Sequence, residues 1–226
     1  MKLYLDKKGQ KLSVFIILGI LLLLIFGVVN FTQTSVIPEI EVDDPETAQL
    51  FVDSCIQATA REALKELRHG SLEDGETKSV GTNEIYVFSE NLKKEDFERQ
   101  ISNYINKNLK NCLSKSEELT LSSSTPKTTI LIQDERFDVN VKYDVSIVEE
   151  GKSQTFPEFS STLNYKLGLI IKHLDTIFTK GIILQDYNED DISIIINPSG
   201  DDLFILLIDQ ENTINGKGFY YGFVKV

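Results

Sequence analysis

The chain has 226 residues, a mass of 25.6 kDa and a hydrophobic fraction of 41%, so it is long enough for one membrane anchor and one folded domain. Its 35 acidic and 23 basic residues give a formal net charge of −12, which argues against nucleic acid as the main partner. With two cysteines and two histidines, it lacks the residues for a zinc ribbon, a cysteine-rich scaffold or most histidine-based metal sites.

The first predicted element is a membrane-spanning helix. Residues 12–29 read LSVFIILGILLLLIFGVV and carry no charge. As a helix this run is about 27 Å long, close to the thickness of the hydrocarbon core of a bilayer. A buried helix of a soluble protein normally has a polar face, and this run has none. We therefore expect a cytoplasmic basic tip over residues 1–11, a transmembrane helix over 12–31 and an acidic stalk over 32–43, with the lipid bilayer as partner.

The charges that flank the apolar run predict its orientation. Four lysines and one aspartate precede it, whereas every charged residue between it and Arg61 is acidic. The positive-inside rule places the N-terminus in the cytoplasm and the C-terminal domain outside the cell membrane. The chain after residue 31 has 19 basic and 34 acidic residues, a net charge of −15. A cleaved secretory signal is disfavoured, because its apolar region is normally about 7–15 residues long and precedes an A-x-A-like site.

A second kind of processing stays open because of the residues before the apolar run. Lys7-Lys8-Gly9-Gln10 and the long apolar helix after it resemble the class III signal of archaeal type IV pilin-like proteins. This resemblance covers residues 7–29. It implies cleavage between Gly9 and Gln10, with the apolar helix retained on the mature subunit. The family commonly has a glutamate at the fifth mature position, where this chain has Val14.

The order of segments is also similar to that of small uncharacterised single-pass surface proteins of archaea. In those proteins a similar start and anchor lead into two cysteine-bearing segments, which Ser54-Cys55 and residues 108–113 match here. The resemblance implies a surface location and no particular activity.

Three helices are predicted after the stalk. The first opens at Asp44-Pro45-Glu46, where the aspartate caps the helix and proline suits its first position, and it ends at Gly70. The second spans residues 94–113, and the third begins at 167 and ends near Gly181. Their apolar stripes are Val52, Ile56, Ala60, Ala63, Leu64 and Leu67; Phe97, Ile101, Tyr104, Ile105, Leu109 and Cys112; and Leu167, Ile170, Ile171, Leu174, Ile177 and Phe178.

The remaining predicted elements are strands. Residues 137–147 alternate apolar and polar side chains with a period of two, which indicates a half-buried strand. Pro157 indicates that its strand lies at an edge or contains a bulge. The other predicted strands are 85–88, 128–132, 155–164 and a meander of 192–196, 203–208 and 219–226. Helices segregated from antiparallel strands predict an α+β domain over 44–226, with a helical part at 44–114 and a sheet-rich part at 128–226.

The two cysteines lie on or beside the apolar stripes of the first two predicted helices. If those helices pack antiparallel, the sulfur atoms of Cys55 and Cys112 meet. The predicted topology exports both to a compartment in which disulfides persist. We expect a disulfide, and the alternative is a pair of buried free thiols.

The strongest metal-binding candidate is the acidic turn that contains Asp186, Asn188 and Asp190. Its spacing matches the start of an EF-hand loop. The match then fails, because Asp191 takes the position of the glycine and Asn197 that of the bidentate acid. A solvated acidic turn is the interpretation that the sequence favours.

Known catalytic strings are absent from the sequence, which contains no H-E-x-x-H, C-x-x-C, G-x-x-x-x-G-K-[ST] or G-x-S-x-G. His173 lies off the apolar stripe of the third helix, so we expect it on the solvated surface. We expect the aromatic residues of the last strand in the core or on the sheet surface. If Tyr220 or Tyr221 is exposed, it is a candidate for a partner interface.

Together these features favour a membrane-anchored extracytoplasmic structural or interaction module that has no catalytic activity and no cofactor and that binds a protein partner or itself. The alternative is a type IV pilin-like subunit, cleaved after Gly9 and assembled through its apolar helix. A weaker alternative is an extracellular enzyme that uses the carboxylates of Asp134, Asp138 and Asp144.

Overall fold

The computed structural model describes residues 44–69, 72, 76–80, 83–88, 93–149, 152–180, 187–189, 191–199, 202–214 and 217–225. These residues form three helices and two mainly antiparallel sheets, which confirms the predicted α+β class. The helices are α1 (Pro45–Leu67), α2 (Lys94–Leu113) and α3 (Leu167–Lys180). The strands are β1 (Thr77–Val80), β2 (Asn83–Phe88), β3 (Leu119–Leu121), β4 (Lys127–Ile132), β5 (Phe137–Glu149), β6 (Lys152–Leu163), β7 (Tyr187–Glu189), β8 (Ile192–Ser199), β9 (Asp202–Ile214) and β10 (Lys217–Lys225).

The predicted membrane helix over residues 12–31 lies outside the described residues, and so do Gly9 and Gln10. Among the helices that the structure describes, none combines the length and the apolar character needed to cross a bilayer.

Helix α1 begins where its sequence predicts. The Oδ1 atom of Asp44 accepts hydrogen bonds from the backbone N–H groups of Glu46 and Thr47, each 2.8 Å long. In return, the Thr47 hydroxyl accepts the Asp44 N–H at 3.2 Å, which completes a capping box. The hydrogen bond from the Thr47 N–H is the main cause that lowers the pKa of the Asp44 carboxyl.

Strand β5 is the centre of a four-stranded antiparallel sheet. Strand β6 pairs along one edge of it, whereas β4 and β3 follow one another along the other edge. The odd-numbered residues of β5 from 137 to 147 are all buried, as their alternation predicts. Strand β3 is not among the predicted strands, because three residues are too few to show an alternation. Pro157 lies in β6, which pairs with β5 alone among the described strands, beside a register shift between Lys142 and Val145.

The second sheet has the strand order β1-β2-β10-β9-β8-β7. The predicted meander forms its centre as β8, β9 and β10, each antiparallel to the next. Strand β2 joins β10 in parallel through the pairs Val87 with Val224 and Phe88 with Lys225. The alternation of a strand gives no information about its partner, so the sequence does not predict this long-range parallel pair.

The buried apolar residues form one continuous core that includes the stripes of all three helices and the inner faces of both sheets. Tyr221 belongs to this core, as expected for the aromatic residues of the last strand, so it is not an exposed interface residue. Only 1% of Tyr221 is exposed, and its ring lies 5.4 Å from that of Phe97. Burial raises the pKa of its hydroxyl well above the ordinary value. Tyr220 points to the other face of β10, where its half-buried ring lies 5.0 Å from the guanidinium carbon of Arg68.

Helix α3 buries more of its circumference than its apolar stripe indicates. His173, which we expected on the surface, is buried, with 6% of its area exposed. The exposed residues of the helix among those described are Lys172, Asp175 and Thr179. Because these three occupy one narrow face, residues on both sides of the apolar stripe are also covered.

Helix α2 covers the free edge of strand β4 with a row of polar side chains. Glu98 Oε1 accepts the backbone N–H of Ile132 at 3.0 Å, and Asn106 Oδ1 accepts that of Thr128 at 2.8 Å. Between them, the Ser102 hydroxyl donates to the carbonyl of Thr128 at 2.6 Å. The three side chains recur every fourth residue, and they satisfy edge groups that otherwise form a template for aggregation. The sequence predicts the apolar stripe of α2 but not these contacts of its polar side chains.

The absence of a side chain at Gly168 allows the first turn of α3 to approach the β4–β5 turn closely. A Cβ atom at this position would lie 2.3 Å from the carbonyl oxygen of Gln133 and 2.9 Å from the Cα of Asp134. These are backbone atoms, which cannot move aside as the end of a flexible side chain does. The backbone N–H of Leu169 donates to the carbonyl of Asp134 at 3.4 Å, and Lys172 forms an ion pair with its carboxylate at 2.5 Å.

We therefore expect Gly168→Ala to lower the free energy of unfolding by about 3 kcal/mol, although alanine is the better helix former by about 1 kcal/mol. Gly222→Ala is the matched control. Its Cβ would find its nearest neighbours at 3.5 and 3.6 Å, which is ordinary van der Waals contact. Chemical denaturation of the full-length protein in detergent measures both variants. Equal stability of the two variants would contradict the steric explanation.

Candidate functional site

A polar cleft of about 290 Å³ lies between α1, the β6–α3 link and the end of β9. Gln57 and Arg61 contribute one wall from α1, where their spacing of four residues places them on one face of the helix. The end of β6 and the link to α3, residues 162–165, contribute a second wall. Asn212 and Thr213, near the end of β9, contribute the third. Its volume is near the lower end of the range of ligand cavities, about 300 Å³.

The wall from β9 is held in place by the carboxylate of Asp209, which is completely buried. Its oxygens accept the backbone N–H groups of Glu211 at 3.0 Å, Asn212 at 3.1 Å and Lys166 at 3.3 Å. They also accept the side-chain amide of Asn212 at 2.8 Å. A carboxylate is tolerated inside a protein when donors of this kind replace its water.

This arrangement explains why β9 leaves its regular register at the cleft. Phe219 of β10 pairs with Asp209, whereas the preceding Gly218 pairs with Thr213, so residues 210–212 of β9 have no partners in β10. The Asp209 carboxylate accepts backbone donors from this irregular segment. It therefore joins the segment to the backbone of the β6–α3 link.

The side chain of Lys166 makes a second contact with the irregular segment of β9, residues 210–212. Its side chain is 8% exposed, and its Nζ atom lies 2.7 Å from Glu211 Oε2 and 3.0 Å from Asp191 Oδ2. Asp191 has a φ of 61°, a left-handed conformation that aspartate adopts more readily than most residues.

The hydrogen bond to Glu211 is the main cause that raises the pKa of Lys166 above its ordinary value, and it outweighs the opposing effect of burial. Because the pKa is raised in the folded state, the stabilisation is fully present below the ordinary pKa of the lysine. It is lost only as the pH rises through the folded-state value. Lys166 is thus charged at neutral pH, where its interactions stabilise the fold.

A row of side chains along α1 positions Arg61 at the cleft. Gln57 Nε2 donates to Asp53 Oδ2 at 2.9 Å, and Gln57 Oε1 accepts from Arg61 Nη2 at 3.0 Å. The Arg61 side chain also reaches the hydroxyl of Tyr165, which donates to the carbonyl of Thr213 at 3.4 Å. Burial is the main cause that raises the pKa of Tyr165, and the charge of Arg61 opposes it. Tyr165 therefore stays neutral at neutral pH and serves as a hydrogen-bonding group.

A second, larger cleft of about 440 Å³ lies between the start of α2, the β4–β5 turn and α3. Its apolar floor includes Ile132 and Ile171. The Asp134–Lys172 ion pair spans it with both side chains more than half exposed. Exposed ion pairs of this kind contribute little to stability, and they do not give the cleft a fixed charge.

The structure brings two of the predicted site residues together. Cys55 and Cys112 lie at disulfide distance, with their Cα atoms 5.6 Å apart, between the packed helices α1 and α2. Cys55 is fully buried and Cys112 is 8% exposed.

The metal-binding candidates Asp186 and Asp190 lie outside the described residues, and the backbone of Asn188 pairs with that of Ser193 in the β7–β8 hairpin. Among the residues that are described, no group of three or more histidine, cysteine, aspartate or glutamate side chains is arranged to hold a metal ion.

The three carboxylates of the enzyme alternative lie on the outer side of the smaller sheet and in its turn. Asp134 pairs with Lys172, and Asp138 accepts hydrogen bonds from Gln133 at 3.0 Å and Thr162 at 2.7 Å. Asp144 is exposed. None of the three lines the polar cleft.

Neither Asp209 nor Lys166 is predicted from the sequence, although the sequence contains a signal for Asp209. It falls on the same side of β9 as the buried Ile205 and Leu207, four and two residues earlier. An acidic residue at an inward position of a strand is uncommon and indicates a buried carboxylate that has specific donors. Lys166 precedes α3, outside any periodic pattern.

Comparison with known proteins gives no match: no family model, no curated protein and no solved structure is significantly similar to the chain.

Proposed function

We propose that the chain is a single-pass membrane protein whose acidic α+β domain lies outside the cytoplasm and acts as a non-catalytic structural or interaction module. The observation that carries this proposal is the Cys55–Cys112 pair, which lies at disulfide distance in the core of the domain. Structural disulfides persist mainly in extracytoplasmic compartments. The basic residues before the apolar run and the acidic residues after it support the same orientation.

The surface of the domain supports an interaction that is mainly polar. Four large apolar side chains are exposed among the described residues, and they lie on four different elements: Leu50, Leu131, Val148 and Ile195. Single apolar side chains that are scattered in this way do not form a hydrophobic docking patch. A protein partner therefore meets a predominantly acidic surface, and its affinity decreases as salt concentration rises.

A pilin-like subunit is the second candidate, and the position of Lys7-Lys8-Gly9-Gln10 directly before the apolar run favours it. In this case, the apolar helices of many copies bundle into a filament core. Mass spectrometry of the native membrane protein distinguishes the candidates, because a mature chain that begins at Gln10 supports processing and an intact Met1 excludes it.

Labelling of single engineered cysteines tests the anchor and its orientation. Glu117→Cys places a thiol at an exposed position between α2 and β3, and Lys8→Cys places one before the apolar run. If Cys55 and Cys112 are bonded, the unmodified chain contributes no background. A maleimide that cannot cross membranes is applied to intact cells and, as the control for reactivity, to permeabilised cells. We expect the thiol at 117 to react in both and the thiol at 8 only after permeabilisation.

A further inference from the structure

Arg61, at the rim of the polar cleft, is a positive charge whose side-chain partners are neutral. Its guanidinium interacts with the Gln57 amide and the Tyr165 hydroxyl. No ion pair joins it to a carboxylate of any described residue. The chain has 35 acidic and 23 basic residues, so a cation without an acidic partner is unusual in it. Because no carboxylate neutralises Arg61, its guanidinium remains available to bind an external anion.

The Arg61 side chain is oriented but not saturated. Asp53 fixes the Gln57 amide, because it accepts the Nε2 donor and leaves Oε1 to face Arg61. A guanidinium has five N–H donors in a planar fork, and two neutral partners leave donors for a bidentate carboxylate. The side chain is thus positioned before a ligand arrives, which lowers the entropic cost of binding.

The rest of the lining contains no acidic residue. Its other polar groups are the amides of Gln57, Asn164 and Asn212 and the hydroxyls of Thr162, Tyr165 and Thr213. Within the domain, Thr162 already donates to Asp138, Asn212 to Asp209 and Tyr165 to the Thr213 carbonyl, so these groups offer a ligand mainly acceptor sites. The Asn164 amide and the Thr213 hydroxyl both donate and accept, and the set matches the hydroxyl groups of a polyol. One cation among such groups, in a cleft of about 290 Å³, matches a ligand with one negative charge, several hydroxyl groups and the size of one ring.

We propose that this cleft binds a carboxylate-bearing sugar, with the carboxylate on Arg61 and the ring hydroxyls on the amides and hydroxyls of the other walls. A uronic acid such as glucuronate has this chemistry, either as a free acid or as the end of a saccharide chain. The inference rests on the folded domain alone and does not depend on which side of the membrane the domain occupies.

Isothermal titration of the full-length protein in detergent tests the proposal with three matched probes at equal ionic strength. Glucuronate has the carboxylate and the hydroxyls, glucose has the hydroxyls alone, and acetate has the carboxylate alone. We expect glucuronate to bind at least about tenfold more tightly than either of the others, because it alone engages both sets of groups. Equal binding of glucose and glucuronate, or no binding of glucuronate, would overturn the proposal.

Arg61→Gln is expected to weaken glucuronate binding by at least about tenfold, and Arg61→Lys to restore part of the loss, since lysine keeps the charge but not the fork. Arg136→Gln is the matched control, because Arg136 is also exposed and bonded to a glutamine, Gln133, but does not line the cleft. Unchanged circular dichroism shows that each variant folds. Binding by Arg61→Gln at the affinity of the unmodified chain would contradict the assignment.

Methyl glucuronide separates the two sources of the ligand. This glycoside has the carboxylate but a blocked anomeric hydroxyl, as in the terminal residue of a saccharide chain. Binding equal to that of the free acid supports a saccharide chain as the source, and binding of the free acid alone supports the free sugar acid.

Discussion

Replacement of both Cys55 and Cys112 by alanine is expected to lower the free energy of unfolding by about 4 kcal/mol. The two residues are separated by 57 positions, and a cross-link over that distance removes conformational freedom mainly from the unfolded chain. The bond joins α1 to α2, whose apolar stripes form a large part of the core. Its loss therefore acts on the packing of two helices as well as on the unfolded state.

Chemical denaturation of the full-length protein in detergent, with and without reductant, measures this effect. The unmodified chain in reductant is expected to match the Cys55→Ala/Cys112→Ala variant, and that variant is expected to be insensitive to reductant. A titration of two free thiols in the unreduced, denatured chain would show instead that the cysteines are not bonded.

Asp209→Ala is the second substitution with a large expected effect, a loss of about 3–5 kcal/mol in the free energy of unfolding. Asp209 is fully buried, and its carboxylate accepts three backbone donors and one side-chain donor. Alanine removes every acceptor at once and leaves the N–H groups of Lys166, Glu211 and Asn212 without this partner. The irregular segment 210–212 then loses the interaction that holds it to the β6–α3 link.

Asp138→Ala is the matched control, because Asp138 is also a strand aspartate that accepts hydrogen bonds but lies on the outer face of its sheet. We expect it to cost about 1 kcal/mol. Asp209→Asn, which keeps one acceptor oxygen, is expected to lie between the two. Equal denaturation midpoints for Asp209→Ala and Asp138→Ala would mean that the buried carboxylate has no special role.

The elements that the sequence predicts well are those in which a periodic pattern of apolar residues extends over many consecutive positions. Helices α1, α2 and α3 and strand β5 each bury one side over several turns or pleats, so their periodicity is visible without any partner. The cap at Asp44 is equally local, since its groups lie within three residues. The proximity of Cys55 and Cys112 follows because each cysteine lies on or beside a predicted stripe.

The features that the sequence does not predict depend on distant partners. The parallel pair of β2 and β10 joins Val87 to Val224, and neither strand shows this in its own pattern. His173 is buried because other elements cover it, and the apolar stripe of a single helix gives no information about such contacts. The polar cleft combines α1, the β6–α3 link and β9, so no single segment could reveal it.

The location of the domain is tested most directly by the ratio of labelling at Glu117→Cys and Lys8→Cys in intact cells, each normalised to its labelling after permeabilisation. We predict nearly complete labelling at position 117 and almost none at position 8. The reverse pattern, or equal protection of both positions until permeabilisation, would contradict a membrane-anchored domain outside the cytoplasm.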